Sequence, residues 1–306
     1  MTSDTGTPFR SGFACFIGRP NAGKSTLMNA LVGEKIAIMS SRPQTTRRAI
    51  RGIVHRADSQ LVVVDTPGLH RPRTLLGERL NDLVRETFAE VDVIGFCLPA
   101  DEKVGPGDKW IARELSQARA PVVAIVTKVD KVPKSKVAEH LLAVTELGEW
   151  ADIVPVSAVE GIQVDTLTDV LTRFLPEGPP LYPDGELTDE PEMIMIAELV
   201  REAALEGVHD ELPHSIAVQV EEMVERPQAS DDPRVPLLEV RVNLFVERDS
   251  QKGIILGRGG SRIKEVGTTA RQGIEGLLGR RIHLDLHVKV AKEWQRDPKQ
   301  LGRMGF

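Results

Sequence analysis

Eight residues near the start of the chain, GRPNAGKS at 18–25, restrict its fold more than any other stretch. They fit G-x-x-x-x-G-K-[ST] and stand between an apolar, strand-like run, FACFI, and a helix-like run at 24–32. Glycine at 18 and 23 lets the backbone wrap closely round phosphate oxygens, with the amides of Asn21 to Thr26 pointing inward. Lys24 then reaches the β and γ phosphates, and Ser25 offers a hydroxyl to Mg²⁺. An accidental glycine turn in this setting would leave buried amides without partners.

The residues downstream of the loop fit the same reading. Short β-rich runs, FACFIG, RRAIRGIVH, QLVVVD, VDVIGFCL, PVVAIVT and ADIVPVS, alternate with amphipathic stretches at 24–32, 75–89, 108–118, 135–147 and 164–174. Parallel strands need crossovers and helices supply them, so residues 1–174 are expected to form an α/β domain, a mostly parallel sheet with helices on both faces. RRAIRGIVH and QLVVVD are too close together for a crossover and predict an antiparallel hairpin. At 175–190 prolines, glycines and acids accumulate and periodicity vanishes, which predicts an interdomain linker. Residues 191–306 change order to α-β-β-α-α-β: a helix at 191–206, a strand at 215–225, a polar loop holding RPQASDDPR, a strand at 237–247, a helix pair around a glycine-rich turn, and a strand at 281–290. A chain of 306 residues suits two such domains. No apolar run nears the roughly 20 residues that span a bilayer, and the first ten residues show no secretory pattern, so the cytoplasm is the expected compartment. Cys15 and Cys97, both inside apolar runs, are expected to be core thiols with no disulfide.

The base is read at TKVD, 127–130, which ends one strand, and at VSA, 156–158, which ends the next. The Asp130 carboxylate can accept from the N1 and N2 donors on one edge of guanine, a pair that adenine lacks. Lys128 can lay its alkyl stem over the purine, and the Ala158 amide, after Ser157, can meet the guanine O6. The ligand expected is therefore GTP or GDP. Here the chain resembles the translation-factor-related GTPases, whose usual form is N-K-x-D; Thr127 stands where that pattern has asparagine. A hydroxyl keeps one tethering hydrogen bond, so modest weakening is expected rather than a change of base. DTPG at 65–68 predicts a second Mg²⁺ contact through water from Asp65 and a γ-phosphate sensor in the Gly68 amide. PQTTR at 43–47 supplies a further Mg²⁺ ligand, Thr46 preferred over Thr45. When the γ-phosphate leaves, both contacts vanish. The expected nucleotide contacts are thus Gly18, Arg19, Pro20, Asn21, Ala22, Gly23, Lys24, Ser25 and Thr26; Asp65, Thr66, Pro67, Gly68 and Leu69; Thr127, Lys128 and Asp130; and Ser157 with Ala158. Lys24, Thr46 and Gly68 are the expected catalytic groups, and Ser25, Thr46 and Asp65 the metal ligands. Leu69 stands where Ras-like enzymes carry the glutamine that orients water, so slow turnover is expected. Related GTPases with asparagine at the position of Asn21 use K⁺ near the phosphates; the alternative for Asn21 is a local bond to backbone.

A second glycine-rich loop, GIILGRGGSRIK at 253–264, places Gly257, Arg258, Gly259 and Gly260 between two helices. That is the G-x-x-G arrangement of a KH domain, which clamps the backbone of about four single-stranded nucleotides. Alone it is a weak signal, but its surroundings strengthen it. Residues 237–306 hold 14 Lys and Arg against 8 Asp and Glu, a balance of +6, while the rest of the chain, with 25 against 37, carries −12. Lys252, Arg258, Arg262, Lys264 and Arg271, with the three glycines, are the expected RNA contacts. Ile263, Val266, Ala270, Ile274, Leu277 and Leu278 fall on the expected core face of the second helix.

Taken with both loops, the motifs GRPNAGKS, PQTTR, DTPGLH, TKVD, VSA, ELPHSIAV, FVERDSQKGIILGRGG and IKEVGTTAR make the chain closely similar to the bacterial Era family from about residue 13 to 297. The resemblance implies a GTPase whose type II KH domain binds the 3′ end of small-subunit (16S) ribosomal RNA during assembly of that subunit, with GTP favouring the RNA-competent arrangement. It also implies a peripheral membrane contact, for which the sequence shows no anchor. Departures are Thr127 and Arg258, where lysine is common; arginine preserves phosphate pairing. His214 in ELPHSIAV is expected to pack, not to catalyse. Two other functions fit less well. In one, a GTPase acts on a protein or membrane partner and the tail only docks. The other, RNA modification, would need a catalytic domain for which the tail has no room.

Overall fold

Strands β1 (Arg10–Ile17), β2 (Ile50–His55), β3 (Ser59–Asp65), β4 (Val93–Pro99), β5 (Val122–Thr127) and β6 (Asp152–Pro155) form one sheet in the order β2-β3-β1-β4-β5-β6. This computed structural model describes residues 8–39, 46–69, 72, 74–208, 212–225 and 238–306. It divides into two units, the first reaching Asp189 and the second running from Glu190 to Phe306. Every pairing in the first sheet is parallel except β2 with β3, the antiparallel hairpin that the short spacing predicts. Strand β2 begins at Ile50, later than the expected 47, because its pairing starts at Ile50 opposite Asp65.

The inner strands are apolar on both sides, as parallel strands under helices must be. On one face Ile17, Ile94, Phe96 and Val126 pack with Val84 of α2 (Leu75–Glu90), Ile111 and Leu115 of α3 (Pro106–Leu115) and Val144 of α4 (Lys134–Thr145). Helices α1 (Lys24–Val32) and α5 (Val164–Thr172) pack on each other and against the β2–β3 side. Cys15 and Cys97 are both buried free thiols. Burial pushes the Cys97 thiol up to about 12 and raises Cys15 as well, so both stay protonated.

The segment 175–190, expected as the interdomain linker, belongs to the first unit up to Asp189. There it is a strap bonded along β1, β3 and β2. Leu175 O accepts from Arg10 Nη1 at 2.6 Å, Pro179 O accepts from Ser11 Oγ at 2.6 Å, and Gly178 N donates to Phe9 O at 3.1 Å. Further on, Leu187 O accepts from Ile53 N at 2.9 Å, which satisfies a donor on the outer edge of β2. The buried Gln60 side chain holds the middle of the strap. Its Oε1 accepts from Leu181 N at 2.6 Å and Tyr182 N at 2.9 Å, and its Nε2 donates to Tyr182 O at 2.9 Å. Asp189 closes the strap by accepting from Tyr182 Oη at 2.8 Å and Arg51 Nη1 at 3.1 Å. Such bonds have no period, so the sequence pattern cannot display them.

The second unit contains α6 (Glu192–Leu205), a helical turn α7 (Leu212–Ser215), β7 (Ala217–Glu225), β8 (Leu238–Val246), α8 (Asp249–Leu256), α9 (Ser261–Leu278), β9 (Ile282–Val290) and a C-terminal α10 (Pro298–Arg303). The short α7 and α10 are absent from the sequence expectation, and α7 takes Ser215 out of the predicted strand. Strand β8 is central, antiparallel to β7 and parallel to β9, with Leu238 opposite Ile282 and Val246 opposite Val290. Val240, Val242 and Leu244 face a core shared with Ile196 and Val200 of α6, Ile255 of α8, and Val266, Ala270 and Ile274 of α9. Leu277, expected in that face, is 38% exposed in the last turn of α9. Trp294 is fully buried, donates Nε1–H to Ser215 O at 3.0 Å and stacks on the terminal Phe306 ring at 5.7 Å. The expected loop at 226–234, residues 43–45 of PQTTR, and His70 lie outside the described residues, as does the side chain of His214.

Candidate nucleotide site and nucleic-acid loop

Three loop segments at the C-terminal ends of β1, β3 and β5 meet, the place where an open parallel sheet presents a ligand crevice. The loop between β1 and α1 carries the GRPNAGKS run. Lys24 is buried, and its Nζ donates to the carbonyls of Arg19 at 3.1 Å and Gly18 at 3.3 Å. Burial lowers the Lys24 pKa, and the nearby Asp65 carboxylate opposes that shift. The three expected metal ligands converge. Ser25 Oγ donates to Asp65 Oδ2 at 2.6 Å, Thr46 Oγ1 donates to the same oxygen at 2.9 Å, and the two hydroxyls are 3.0 Å apart. Thr45 lies outside the described residues.

The DTPG segment packs on the first loop. A Cβ on Gly68 would stand 2.7 Å from Pro20 N, so only glycine permits this approach. Two side chains expected at the nucleotide are turned elsewhere. Thr66 Oγ1 donates to Phe16 O at 2.6 Å, tying DTPG back to β1. Leu69 is buried in the sheet's core, and its amide donates to Gly18 O at 3.2 Å. The side chain thus has neither the polar atom nor the position to hold water. Arg19 likewise points its guanidinium away from Lys24, to Asp108 at 2.7 Å and Glu102 at 2.9 Å. Partial burial draws its pKa down, but those two carboxylates outweigh it and leave the pKa raised.

The segments expected to read the base are cross-braced. Thr127 Oγ1 donates to Ala22 O at 2.7 Å, which is the single tether expected of a hydroxyl at this position. Asp130 Oδ1 accepts from Ser157 Oγ at 2.6 Å, and Ser157 Oγ in turn accepts from Glu160 N at 3.1 Å. Lys128 takes φ of 59°, left-handed for a non-glycine residue, a strain commonly found at functional loops. Its Nζ is 3.4 Å from Asp101. Asp101, Glu102 and Asp108 escaped sequence reasoning because they form no motif with the residues they hold.

In the second unit the turn between α8 and α9 has φ of 71° at Gly257, 59° at Gly259 and 78° at Gly260. Arg258 and Gly259 are exposed, as are Lys264 and Arg271 along α9; Lys252 is half-buried. Arg262, expected at the RNA, turns its Nη2 to Ala204 O at 3.3 Å and to Glu206 O, so its charge caps the C-terminal end of α6.

A phosphate-type loop between β1 and α1 in a mostly parallel sheet, followed by a KH fold, defines a P-loop GTPase carrying a C-terminal KH unit. The matches to known proteins agree. A family model described as 50S ribosome-binding GTPase matches residues 13–128, and one described as KH domain matches residues 211–295. GTPase Era of Streptomyces coelicolor is 66% identical over 98% of this chain and 96% of its own length, and that of Mycolicibacterium smegmatis is 64% identical over 98% and 100%. Among solved structures, Era in complex with MgGDPNP and nucleotides 1506–1542 of 16S ribosomal RNA matches with a TM-score of 0.92 and 35% identity, covering 97% of this chain and 99% of that one. An Aquifex aeolicus Era variant bound to GDP and AlF4⁻ matches at 0.91 with the same identity and coverage. The chain belongs to the Era family of GTPases. Among the described residues no helix is long and apolar enough to cross a membrane.

Proposed function

We propose that this GTPase grips the 3′ end of small-subunit (16S) ribosomal RNA with its KH unit and assists assembly of the small subunit, GTP favouring the RNA-competent arrangement. The observation that carries this reading is the 257–260 turn. It exposes Arg258 and a bare Gly259 backbone beside Lys264, on a chain similar throughout its length to an Era solved with a 16S rRNA fragment. Glycine admits the sugar-phosphate chain, Arg258 pairs with phosphate, and Lys252, Lys264 and Arg271 extend the positive track. An rRNA partner implies a cytoplasmic protein.

At the other site, Ser25, Thr46 and Asp65 are hard oxygen donors already gathered on one point, which fits Mg²⁺. The ion, when bound, neutralises charge on the β and γ phosphates. Lys24 adds a second positive charge there, the Gly68 amide senses the γ-phosphate, Asp130 selects guanine, and Asn21 is the candidate partner of K⁺. Loss of the γ-phosphate releases Thr46 and Gly68 together.

The test is binding of a labelled single-stranded 16S 3′-end fragment to protein loaded with GDPNP or GDP across a salt series. Tighter binding with GDPNP, a steep fall with salt, and loss in Arg258→Asp/Gly259→Asp are expected. Equal affinity in both nucleotide states and in that variant refutes the reading and favours a GTPase whose tail docks on a protein or membrane partner.

A further inference from the structure

Adjacent acids in the turn after β4 each take a cation from a different nucleotide-binding loop. Asp101 holds Lys128 at 3.4 Å, with Lys131 also near it at 3.9 Å, while Glu102 holds Arg19 at 2.9 Å. The backbone of the same turn joins in, since Ala100 N donates to Thr127 O at 2.8 Å. Thr127 Oγ1 then returns to the first loop at Ala22 O. The bonds close a circuit: Ala22 to Thr127, Thr127 to the 100–102 turn, that turn to Arg19, and Arg19 back along the loop to Ala22. Asp108 anchors the far side, accepting from Arg19 Nε at 2.7 Å and from Gly105 N at 2.8 Å.

We propose that the 100–102 turn is a positioning bracket for the nucleotide site, in which Asp101 sets the Lys128 side chain for the purine before the nucleotide arrives. The proposal rests on the assignment of Lys128 to the purine face. A free lysine stem samples many rotamers and must be ordered when a base stacks on it. With its ammonium tethered to Asp101, that ordering is already done. The need is greater here because Thr127 offers one donor where an asparagine would offer two. Exposed ion pairs are individually weak. This one acts on a backbone already fixed at both ends of the motif, and its neighbour Glu102 holds the phosphate loop in the same way. Asp101 touches no reacting atom in this scheme and is a positioning residue.

The experiment measures GDP, IDP and GTP affinities and GDP dissociation for the full chain as wild type, Asp101→Asn, Asp101→Glu, Lys128→Met and the double variant Asp101→Asn/Lys128→Met. Asp101→Asn is expected to weaken GDP and IDP by the same factor, about threefold to fivefold, through faster dissociation. The KM for GTP rises with it while kcat at saturation holds. Asp101→Glu recovers most of the loss. In the Lys128→Met background Asp101→Asn adds nothing, because a double-variant cycle removes only what passes between the pair. Thermal stability of nucleotide-free Asp101→Asn separates a folding defect from a positioning one, and an unchanged midpoint is expected. The proposal falls if Asp101→Asn binds GDP as wild type does while Lys128→Met does not, or if its effect persists undiminished without Lys128. If Lys128→Met itself leaves GDP affinity unchanged, the assignment of Lys128 to the purine falls first and the bracket with it.

Discussion

Gln60→Leu should unfasten the strap without opening the sheet. Gln60 is 1% exposed and makes three hydrogen bonds to strap backbone, at 2.6, 2.9 and 2.9 Å. Leucine keeps the volume and removes all three. A net of about 1 kcal/mol per bond sets an upper value near 3 kcal/mol, and freed strap groups return to water, so about 2 to 3 kcal/mol of local stability should go. At about 1.4 kcal/mol per tenfold, the Leu181 and Tyr182 amides should exchange hydrogen roughly 30- to 140-fold faster. Hydrogen exchange resolved to the 175–189 peptide is the assay, because unfolding of a two-unit chain does not isolate one strap. Asp184→Asn is the control: its side chain is fully exposed and 3.9 Å from His55 Nδ1, so exchange should not change. Rapid exchange of those amides in the wild type, or unchanged exchange in Gln60→Leu, would refute the strap.

Arg262→Ala should lower the stability of the KH unit by about 1 to 2 kcal/mol, since it uncaps α6, and leave the salt slope of RNA binding intact. Arg258→Ala should do the reverse, reducing that slope by about 0.7 for one lost single-strand phosphate contact at an unchanged melting midpoint. Both cysteines should resist a thiol reagent at pH 8 until the protein unfolds. Because the folded Cys97 pKa is raised from 9.0 to about 12, the stability its protonated thiol contributes is full below pH 9 and is lost as pH rises toward 12, which denaturant midpoints across that window would show. GTP hydrolysis should be faster in KCl than in NaCl at equal ionic strength; equal rates would leave Asn21, with φ of 63°, only a role in shaping the loop.

The sequence disclosed what contiguous residues encode. GRPNAGKS, DTPG and TKVD each gather their expected contacts within a few positions, so the chemistry is legible without knowledge of the fold. The alternation of apolar runs announced the parallel sheet, and the short gap at Asp58 announced the hairpin. Hidden features depend on residues far apart in the chain. The Thr127 to Ala22 bond spans 105 positions and Gln60 to Tyr182 spans 122, and no local pattern marks either. Arg262 is a different case. A cation beside a phosphate-seeking turn reads as a ligand, yet its side chain reaches back to the α6 carbonyls, and only the packing of α9 on α6 decides between the two. The side chains of Thr66 and Leu69 face Phe16 O and the core, an orientation that adjacency to Asp65 and Gly68 does not disclose, because in an extended segment neighbouring side chains face opposite ways.

The two glycine-rich loops use the same backbone freedom for different ends, and the difference can be tested. At Gly68 a Cβ would meet Pro20 N at 2.7 Å and Pro20 Cα at 2.8 Å, so the space is filled by the protein's own backbone. At Gly259 nothing lies within 4 Å of the same added atom, and the only internal demand is φ of 59°. Alanine there should cost about 1 to 2 kcal/mol of local strain and leave the KH unit folded. Gly68→Ala should therefore disturb the nucleotide loops even in protein free of ligand, visible as altered exchange of the Pro20 to Lys24 region. Gly259→Ala should leave ligand-free exchange outside the turn unchanged and lower RNA affinity, because the room kept open there is for a chain other than its own. Equal disturbance of the two ligand-free variants would mean that the second loop is closed by packing as well, and that its glycines serve the fold before any nucleic acid.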